Sequence, residues 1–137
     1  MMPQMMMIEA LALPQPYDMI VLPGGLPGAD YLGADARVTD LLKEMAAAGK
    51  WVAAICAAPK VLAEQGLLDG KRATAYPGVL TPEAFPKVTI TNAPVEQDGN
   101  IITGRGPGTA MDFSLALVEA LQGKSVRASV EKALVRS

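Results

Sequence analysis

The chain has 137 residues, half of them hydrophobic, which predicts one globular domain large enough to bury a single core. Its net charge of −2, without a basic cluster, argues against nucleic acid as a partner because phosphate binding needs a positive face. The single cysteine cannot form an internal disulfide, which favours a reducing cytoplasm, and no apolar stretch is long enough to span a bilayer.

The first half of the chain predicts a β-α-β-α order. Apolar residues 18–22 indicate a buried strand that ends in a glycine loop, and a helix capped by Asp35 follows and stops at Gly49. Residues 51–55 predict the next strand, and residues 57–65 predict the next helix.

The second half of the chain predicts short strands followed by two helices. The strands are expected at residues 71–76, 88–91, 94–96 and 101–103, with an Asp98-Gly99 hairpin signal before the last of them. Thr109 and Asp112 form a capping-box-like start of a helix that ends at Gly123. A final helix is expected over residues 125–134.

Alternating strands and helices imply a parallel sheet with helices on both faces, in which ligands bind beyond the carboxyl ends of the strands. Three loops meet that description, at residues 23–25, 55–57 and 104–108. We therefore expect a site where these loops meet.

Cys56 lies in the second of these loops, between a strand and a helix. Ala54 and Ala58 stand two residues on either side of it, a spacing that permits the sharp strand-to-helix turn used to expose nucleophiles. The helix start is expected to lower the pKa of the thiol below the value of about 8.5 in free cysteine. The alternative is that Cys56 is a small apolar core residue. The chain contains no histidine, which excludes a Cys-His or Ser-His pair made within it.

The two glycine loops have both chemical and purely structural interpretations. Gly25 and Ala57 are candidate N–H donors to the oxyanion of a tetrahedral intermediate, although Pro-Gly-Gly on its own is more often only a turn. Arg105 either anchors a substrate carboxylate or pins its loop through a buried ion pair, and we favour the structural role. Residues 104–109 lack the lysine and spacing of a phosphate-binding loop, so no nucleotide cofactor is predicted. One cysteine and no histidine leave only carboxylates as strong ligands, so no metal is predicted either.

Three motifs together resemble the ThiJ/PfpI superfamily, most closely its parkinsonism-associated deglycase branch. They are residues 17–25 (YDMIVLPGG), 52–59 (VAAICAAP) and 105–109 (RGPGT), in order and with the spacing of the family. The resemblance implies a flavodoxin-like fold of the class I glutamine amidotransferase type, usually a homodimer, with an oxidation-sensitive cysteine at a nucleophile elbow.

The resemblance also assigns roles to residues. It implies that Cys56 is the nucleophile and that Gly25 and Ala57 supply the oxyanion amides, and we place Gly24, Tyr76 and Pro107 on the substrate-binding surface. Tyr76 occupies the position where many relatives keep a histidine. A tyrosine can donate a hydrogen bond there, but with a pKa near 10 it cannot act as a base at neutral pH.

The chain departs from the family pattern at its beginning. Only sixteen residues precede Tyr17, too few for the β-α-β unit with which members of the family begin. That region carries an acidic residue that hydrogen-bonds the cysteine in relatives. We therefore expect residues 1–16 to be disordered or outside the family pattern, and residues 17–137 to form an N-terminally shortened domain.

These observations favour cysteine chemistry on small reactive carbonyls such as methylglyoxal, or on their protein and nucleotide adducts, of the glyoxalase or deglycase type. A second hypothesis is a redox-sensing, chaperone-like protein without turnover, in which Cys56 is oxidised to a sulfinic acid. Amidase or peptidase action is a third hypothesis and ranks last, because it relies on histidine near the cysteine.

Overall fold

The computed structural model describes residues 18–23 and 35–134, which fold around a four-stranded sheet. The strands are β1 (Met19–Leu22), β2 (Trp51–Ile55), β3 (Arg72–Ala73), β4 (Thr89–Ile90), β5 (Val95–Asp98) and β6 (Ile101–Gly104). The helices are α1 (Ala36–Ala47), α2 (Pro59–Glu64), α3 (Ala110–Gln122) and α4 (Lys124–Ala133), with a 3₁₀ turn at Pro107–Thr109.

The main sheet has the strand order β1-β2-β6-β5, in which β1, β2 and β6 are parallel and β5 runs antiparallel to β6. Strand β2 lies in the middle, where Val52, Ala53 and Ala54 are fully buried. A strand buried on both faces is typical of a parallel sheet covered by helices. The α/β fold predicted from the sequence is confirmed, and a hairpin adds one antiparallel strand at its edge.

Helices cover both faces of this sheet. On one face, Leu22 of β1 belongs to a core that includes Leu42 of α1 and Leu62 of α2. On the other face, Ile102 of β6 packs in a smaller cluster with Phe113 of α3. Because successive residues of a strand point to opposite faces, β2 and β6 contribute to both cores.

The hairpin predicted at Asp98-Gly99 joins β5 to β6. Gly99 adopts the left-handed backbone (φ 61°) that such tight turns require. The side-chain amide of Asn100 then donates to the carbonyl oxygens of Lys50 at 2.7 Å and Ala46 at 3.2 Å. The turn is therefore fastened to the end of α1.

The helix predicted from residue 57 begins two residues later, at Pro59. Cys56 has a left-handed backbone (φ 62°), which is incompatible with a right-handed helix, and a turn occupies the next two residues. Proline suits the first helical position because the N–H it lacks would have no partner there. The turn between β2 and α2 is therefore two residues longer than the sequence pattern indicated.

Two further elements differ from the sequence-based expectation. The strand predicted over residues 71–76 pairs only at Arg72–Ala73, because the Thr74 N–H donates to the Thr103 side chain at 3.0 Å instead of a neighbouring strand. The hydroxyl of Thr109 does not cap α3 but donates to the Gly106 carbonyl oxygen at 3.0 Å. This hydrogen bond therefore joins the two ends of the turn from Gly106 to Thr109, just before α3 begins.

The last helix, α4, lies on the surface and has no buried residue. Arg127 of α4 reaches Glu119 of α3 at 3.2 Å, which holds the two helices together. Within residues 18–23 and 35–134, no helix is both long enough and apolar enough to cross a membrane.

Candidate functional site

Cys56 lies at the carboxyl end of β2 with a strained backbone. Its φ of 62° makes it the one non-glycine residue with a positive φ in the described part of the chain. This conformation costs an L-residue about 1–2 kcal/mol, so its neighbours must hold it in place. Backbone strain of this kind is concentrated at functional sites.

Two backbone hydrogen bonds hold the turn at Cys56. Its N–H donates to the Gly104 carbonyl oxygen of β6 at 3.1 Å, and its own carbonyl oxygen accepts from the Tyr76 N–H at 2.9 Å. The turn continues with an N–H of Ala58 that donates to the Ile55 carbonyl oxygen at 3.1 Å. The strand-to-helix elbow predicted from the sequence is therefore built from three separate segments of the chain.

Ala57 follows Cys56 and is buried, with 9% of its surface exposed. No hydrogen bond among the described residues uses its N–H, whereas the N–H groups of Cys56 and Ala58 are both occupied. Oxyanion holes are built from backbone N–H groups that have no acceptor in the protein, which is the role that the sequence predicts for Ala57. Gly24 and Gly25, the other residues proposed for this role and for substrate contact, lie outside the described residues.

The thiol itself is partly exposed, and it is the only cysteine of the chain. Burial raises the pKa of Cys56. This direction is opposite to the sequence-based expectation that a helix start would lower it. The start of α2 does not lower the pKa of Cys56 for two reasons. The helix begins only at Pro59, three residues after Cys56, and it has only six residues, so its dipole is weak.

Tyr76 links the elbow to the loop after β6. Its backbone is bonded to Cys56, and its side chain is 53% exposed. A Cβ placed on Gly106 would lie 3.5 Å from Tyr76 Cδ2, so the ring lies against that loop. Pro107, at the start of the 3₁₀ turn, is exposed one residue further along. Cys56, Tyr76 and the Gly106-Pro107 loop therefore belong to one end of the sheet.

Arg105 has the structural role that we favoured, but with a different partner. Its guanidinium donates to the Asn92 carbonyl oxygen at 2.7 Å, and its N–H donates to the Pro94 carbonyl oxygen at 3.0 Å. The first bond is exposed and its acceptor is a neutral carbonyl, so the expected buried ion pair is wrong. Arg105 fastens the loop after β6 to the segment before β5.

Sequence reasoning missed Gly104, the residue whose carbonyl oxygen holds Cys56. A Cβ at this position would lie 2.8 Å from Phe113 Cδ1 and 2.9 Å from Ile55 Cγ1, so only glycine fits without movement. A glycine that ends an apolar strand is a known sign of close backbone approach, and this signal was present in the sequence.

A buried pair of threonines was also missed. Thr103 Oγ1 accepts from the Thr74 N–H at 3.0 Å, and Thr74 Oγ1 donates to the Ala93 carbonyl oxygen at 2.8 Å. Both threonines are essentially inaccessible to solvent. These bonds join β6 to the segment that carries Tyr76, and no local sequence signal distinguishes them from ordinary strand threonines.

The fold and this elbow define a class of protein, an α/β domain with its cysteine at a strand-to-helix turn. The model of the DJ-1/PfpI family matches residues 6–120, and the chain belongs to this family.

Within residues 18–23 and 35–134, no group of three or more His, Cys, Asp or Glu residues is arranged to hold a metal ion.

Similar proteins include a DJ-1 protein, a Parkinson disease protein 7 homolog and a protein named deglycase. Protein dj-1beta of Drosophila melanogaster is 43% identical over 119 residues, covering 87% of this chain and 64% of its own length. The Parkinson disease protein 7 homolog of Danio rerio is 40% identical over 121 residues, covering 88% and 64%. A protein of Pyrococcus abyssi named deglycase is 33% identical over 109 residues, covering 80% and 65%. The chain thus spans slightly less than two thirds of the length of these relatives.

Solved structures agree with this assignment. The crystal structure of Drosophila melanogaster DJ-1beta superposes with a TM-score of 0.86 at 39% identity, covering 96% of this chain and 69% of that one. The structure entitled "Toxoplasma gondii DJ-1, oxidized" gives a TM-score of 0.83 at 35% identity, covering 95% and 70%.

Proposed function

We propose that this protein acts on small reactive carbonyls, such as methylglyoxal or the adducts they form, through the thiol of Cys56. The observation that carries the proposal is the elbow: Cys56 is held in a left-handed turn, and the neighbouring Ala57 N–H has no acceptor among the described residues. The name of the Pyrococcus abyssi relative, deglycase, supports the same class of chemistry.

The reaction begins with attack by the Cys56 sulfur on the aldehyde carbon of methylglyoxal. The carbon–sulfur bond forms as the carbonyl double bond opens, and the Ala57 N–H stabilises the negative oxygen. In the resulting hemithioacetal, the hydrogen on the former aldehyde carbon moves as a proton to the neighbouring carbon through an enediol, which gives a lactoyl thioester. Water hydrolyses that thioester to lactate and frees the thiol. One water is consumed overall, and no oxidant is needed.

Tyr76 is proposed to orient the substrate rather than to remove protons. Its backbone is fixed to the Cys56 carbonyl and its ring is half exposed against the Gly106 loop. In keeping with the family motif, we propose that Gly25 supplies a second oxyanion amide and that Gly24 and Pro107 belong to the substrate-binding surface with Tyr76. Because burial raises the pKa of Cys56, the reactive thiolate is scarce at neutral pH and the rate should increase with pH.

The test is lactate formation from methylglyoxal by purified protein beside Cys56→Ala. We expect lactate from the unchanged protein and only the uncatalysed rate from the variant. Equal rates for the two proteins would contradict the enzymatic proposal. Separate assays with glycated peptide and glycated nucleotide would show whether adducts are also substrates.

Redox sensing by Cys56 is the second candidate function. It is supported by the partial exposure of the only cysteine in the chain and by the oxidised state named for the Toxoplasma gondii structure. Titration with peroxide, followed by peptide mass analysis, separates the two candidates. A sensor oxidises stoichiometrically at Cys56 and forms no lactate. Amidase or peptidase action stays last, since the chain has no histidine.

We also propose that the protein forms a homodimer and acts in the cytoplasm. Large apolar side chains remain exposed on the last two helices, at Leu121 of α3 and Val126 of α4, which supports association with another chain. Light scattering coupled to size exclusion would give the mass of the particle. The cytoplasmic location rests on the low cysteine content alone.

A further inference from the structure

A cleft of about 270 Å³ opens beside Tyr76. It lies between the segment from Ala75 to Leu80 and the segment from Ile90 to Asn92. Binding pockets for drug-sized ligands have volumes of roughly 300–1,000 Å³, so this cleft suits a smaller molecule or one part of a substrate.

The walls of the cleft are fixed by hydrogen bonds. The N–H of Thr91 donates to the Ala73 carbonyl oxygen at 2.9 Å, and the Asn92 carbonyl oxygen accepts from Arg105 at 2.7 Å. On the opposite wall, the Val79 N–H donates to the Tyr76 carbonyl oxygen at 3.0 Å, which closes a turn. A cleft whose walls are tied in this way needs little ordering when a ligand enters.

The lining combines apolar and polar residues and is uncharged. None of the eight described residues that line the cleft carries a charge at neutral pH. Leu80 and Ile90 supply apolar surface, whereas Thr91 and Asn92 supply a hydroxyl and an amide. No hydrogen bond among the described residues occupies the side-chain amide of Asn92, which leaves its donors and acceptor for a ligand. Such a surface suits a neutral hydroxylated chain and offers no positive charge to offset the desolvation of a carboxylate or phosphate.

Tyr76 belongs both to this cleft and to the elbow. It lines the cleft, and its N–H is bonded at 2.9 Å to the carbonyl oxygen of Cys56. The geometry points to a second substrate subsite: a carbonyl compound that reacts at Cys56 extends past Tyr76 and places an uncharged, hydroxylated chain in the cleft. This inference rests on the proposed function. It narrows the substrate class to neutral, sugar-derived 2-oxoaldehydes and disfavours 2-oxoaldehydes that carry a charge.

The test fills the cleft from its exposed rim. Asn92→Trp places a large side chain there while keeping the backbone carbonyl that Arg105 binds, and Gln122→Trp at the exposed end of α3 is the matched control. The two substrates are methylglyoxal and 3-deoxyglucosone, a neutral six-carbon 2-oxoaldehyde. We expect Asn92→Trp to lower kcat/KM for 3-deoxyglucosone about tenfold more than kcat/KM for methylglyoxal. Gln122→Trp should leave the ratio of the two values as it is in the unchanged protein.

A binding measurement keeps the two proposals separate. Amide NMR spectra of Cys56→Ser with fresh 3-deoxyglucosone should show shifts confined to the two walls of the cleft, including the Gly78 and Asn92 signals. If the protein forms no lactate from methylglyoxal, the proposed function fails, and the cleft is judged by these shifts alone. Turnover of methylglyoxal with equal losses on both substrates in Asn92→Trp would overturn the subsite and leave the proposed function standing. Absence of shifts at the cleft would also overturn it.

Discussion

Gly104 is the position where a single methyl group should disturb the site most. In Gly104→Ala the new Cβ would lie 2.8 Å from Phe113 Cδ1 and 2.9 Å from Ile55 Cγ1, well inside ordinary contact distance. Phe113 is buried in the cluster on the α3 face of the sheet, and the partly buried Ile55 packs against that cluster, so neither side chain can move without disturbing the packing there. The change tests whether close packing at the end of β6 sets the position of Cys56.

The magnitude follows from packing. Forcing an extra methyl group into a filled core costs about 1–3 kcal/mol, and the smaller unfolded-state entropy of alanine offsets about 0.5–1 kcal/mol of that. We therefore expect Gly104→Ala to lower the free energy of unfolding by about 1 kcal/mol, within a range of about 0–2.5 kcal/mol. Because the Gly104 carbonyl oxygen accepts the Cys56 N–H, lactate formation should also decrease.

The assay is urea denaturation monitored by circular dichroism, with Gly108→Ala as the matched control. Gly108 lies four residues away in the same loop, is exposed, and has no heavy atom within 4 Å of its virtual Cβ. Its substitution should leave the free energy of unfolding unchanged or raise it by up to about 1 kcal/mol, because only the unfolded-state entropy term acts there. Equal stabilities for Gly104→Ala and Gly108→Ala would refute the packing argument.

Three further predictions concern the residues around the elbow. Thr103→Val should lower the free energy of unfolding by about 1–3 kcal/mol, measured by urea denaturation, because it leaves the buried Thr74 N–H without an acceptor; an unchanged stability would contradict this. Cys56→Gly should be more stable than Cys56→Ala by about 1 kcal/mol, because glycine adopts a φ of 62° without strain, and the opposite order would show that the turn is unstrained. The alkylation rate of Cys56 by iodoacetamide should reach half its maximum at a higher pH than that of a free cysteine, since burial raises the pKa of the thiol; a midpoint below that of a free cysteine would show a dominant stabilising charge.

Much of the fold was predictable from local patterns. Strand β2 has the bounds expected from its apolar run, Trp51–Ile55, and Gly49 ends the preceding turn in the left-handed backbone predicted for it. The Asp98-Gly99 signal places the hairpin correctly. These features are set by side-chain period and by glycine conformation, which can be recognised from neighbouring residues alone.

The parts that sequence patterns did not predict depend on distant contacts. Strand β3 is short because the Thr74 N–H donates a hydrogen bond to the hydroxyl oxygen of Thr103, which lies twenty-nine residues further along the chain. Arg105 binds a backbone carbonyl rather than a carboxylate, a choice that only the positions of the two segments decide. The raised pKa of Cys56 likewise reflects the partial burial of the thiol in the folded chain. For Gly24 and Gly25 the predicted roles stay predictions.

The central claim is that the sulfur of Cys56 performs the reaction, and alkylation tests it most directly because the chain contains no other thiol. Samples treated with iodoacetamide for increasing times would be divided, one part for peptide mass spectrometry of Cys56 and one for lactate formation from methylglyoxal. The account predicts that activity falls in proportion to the alkylated fraction and reaches the uncatalysed rate when Cys56 is fully modified. A fully alkylated protein that still forms lactate at its original rate would contradict it.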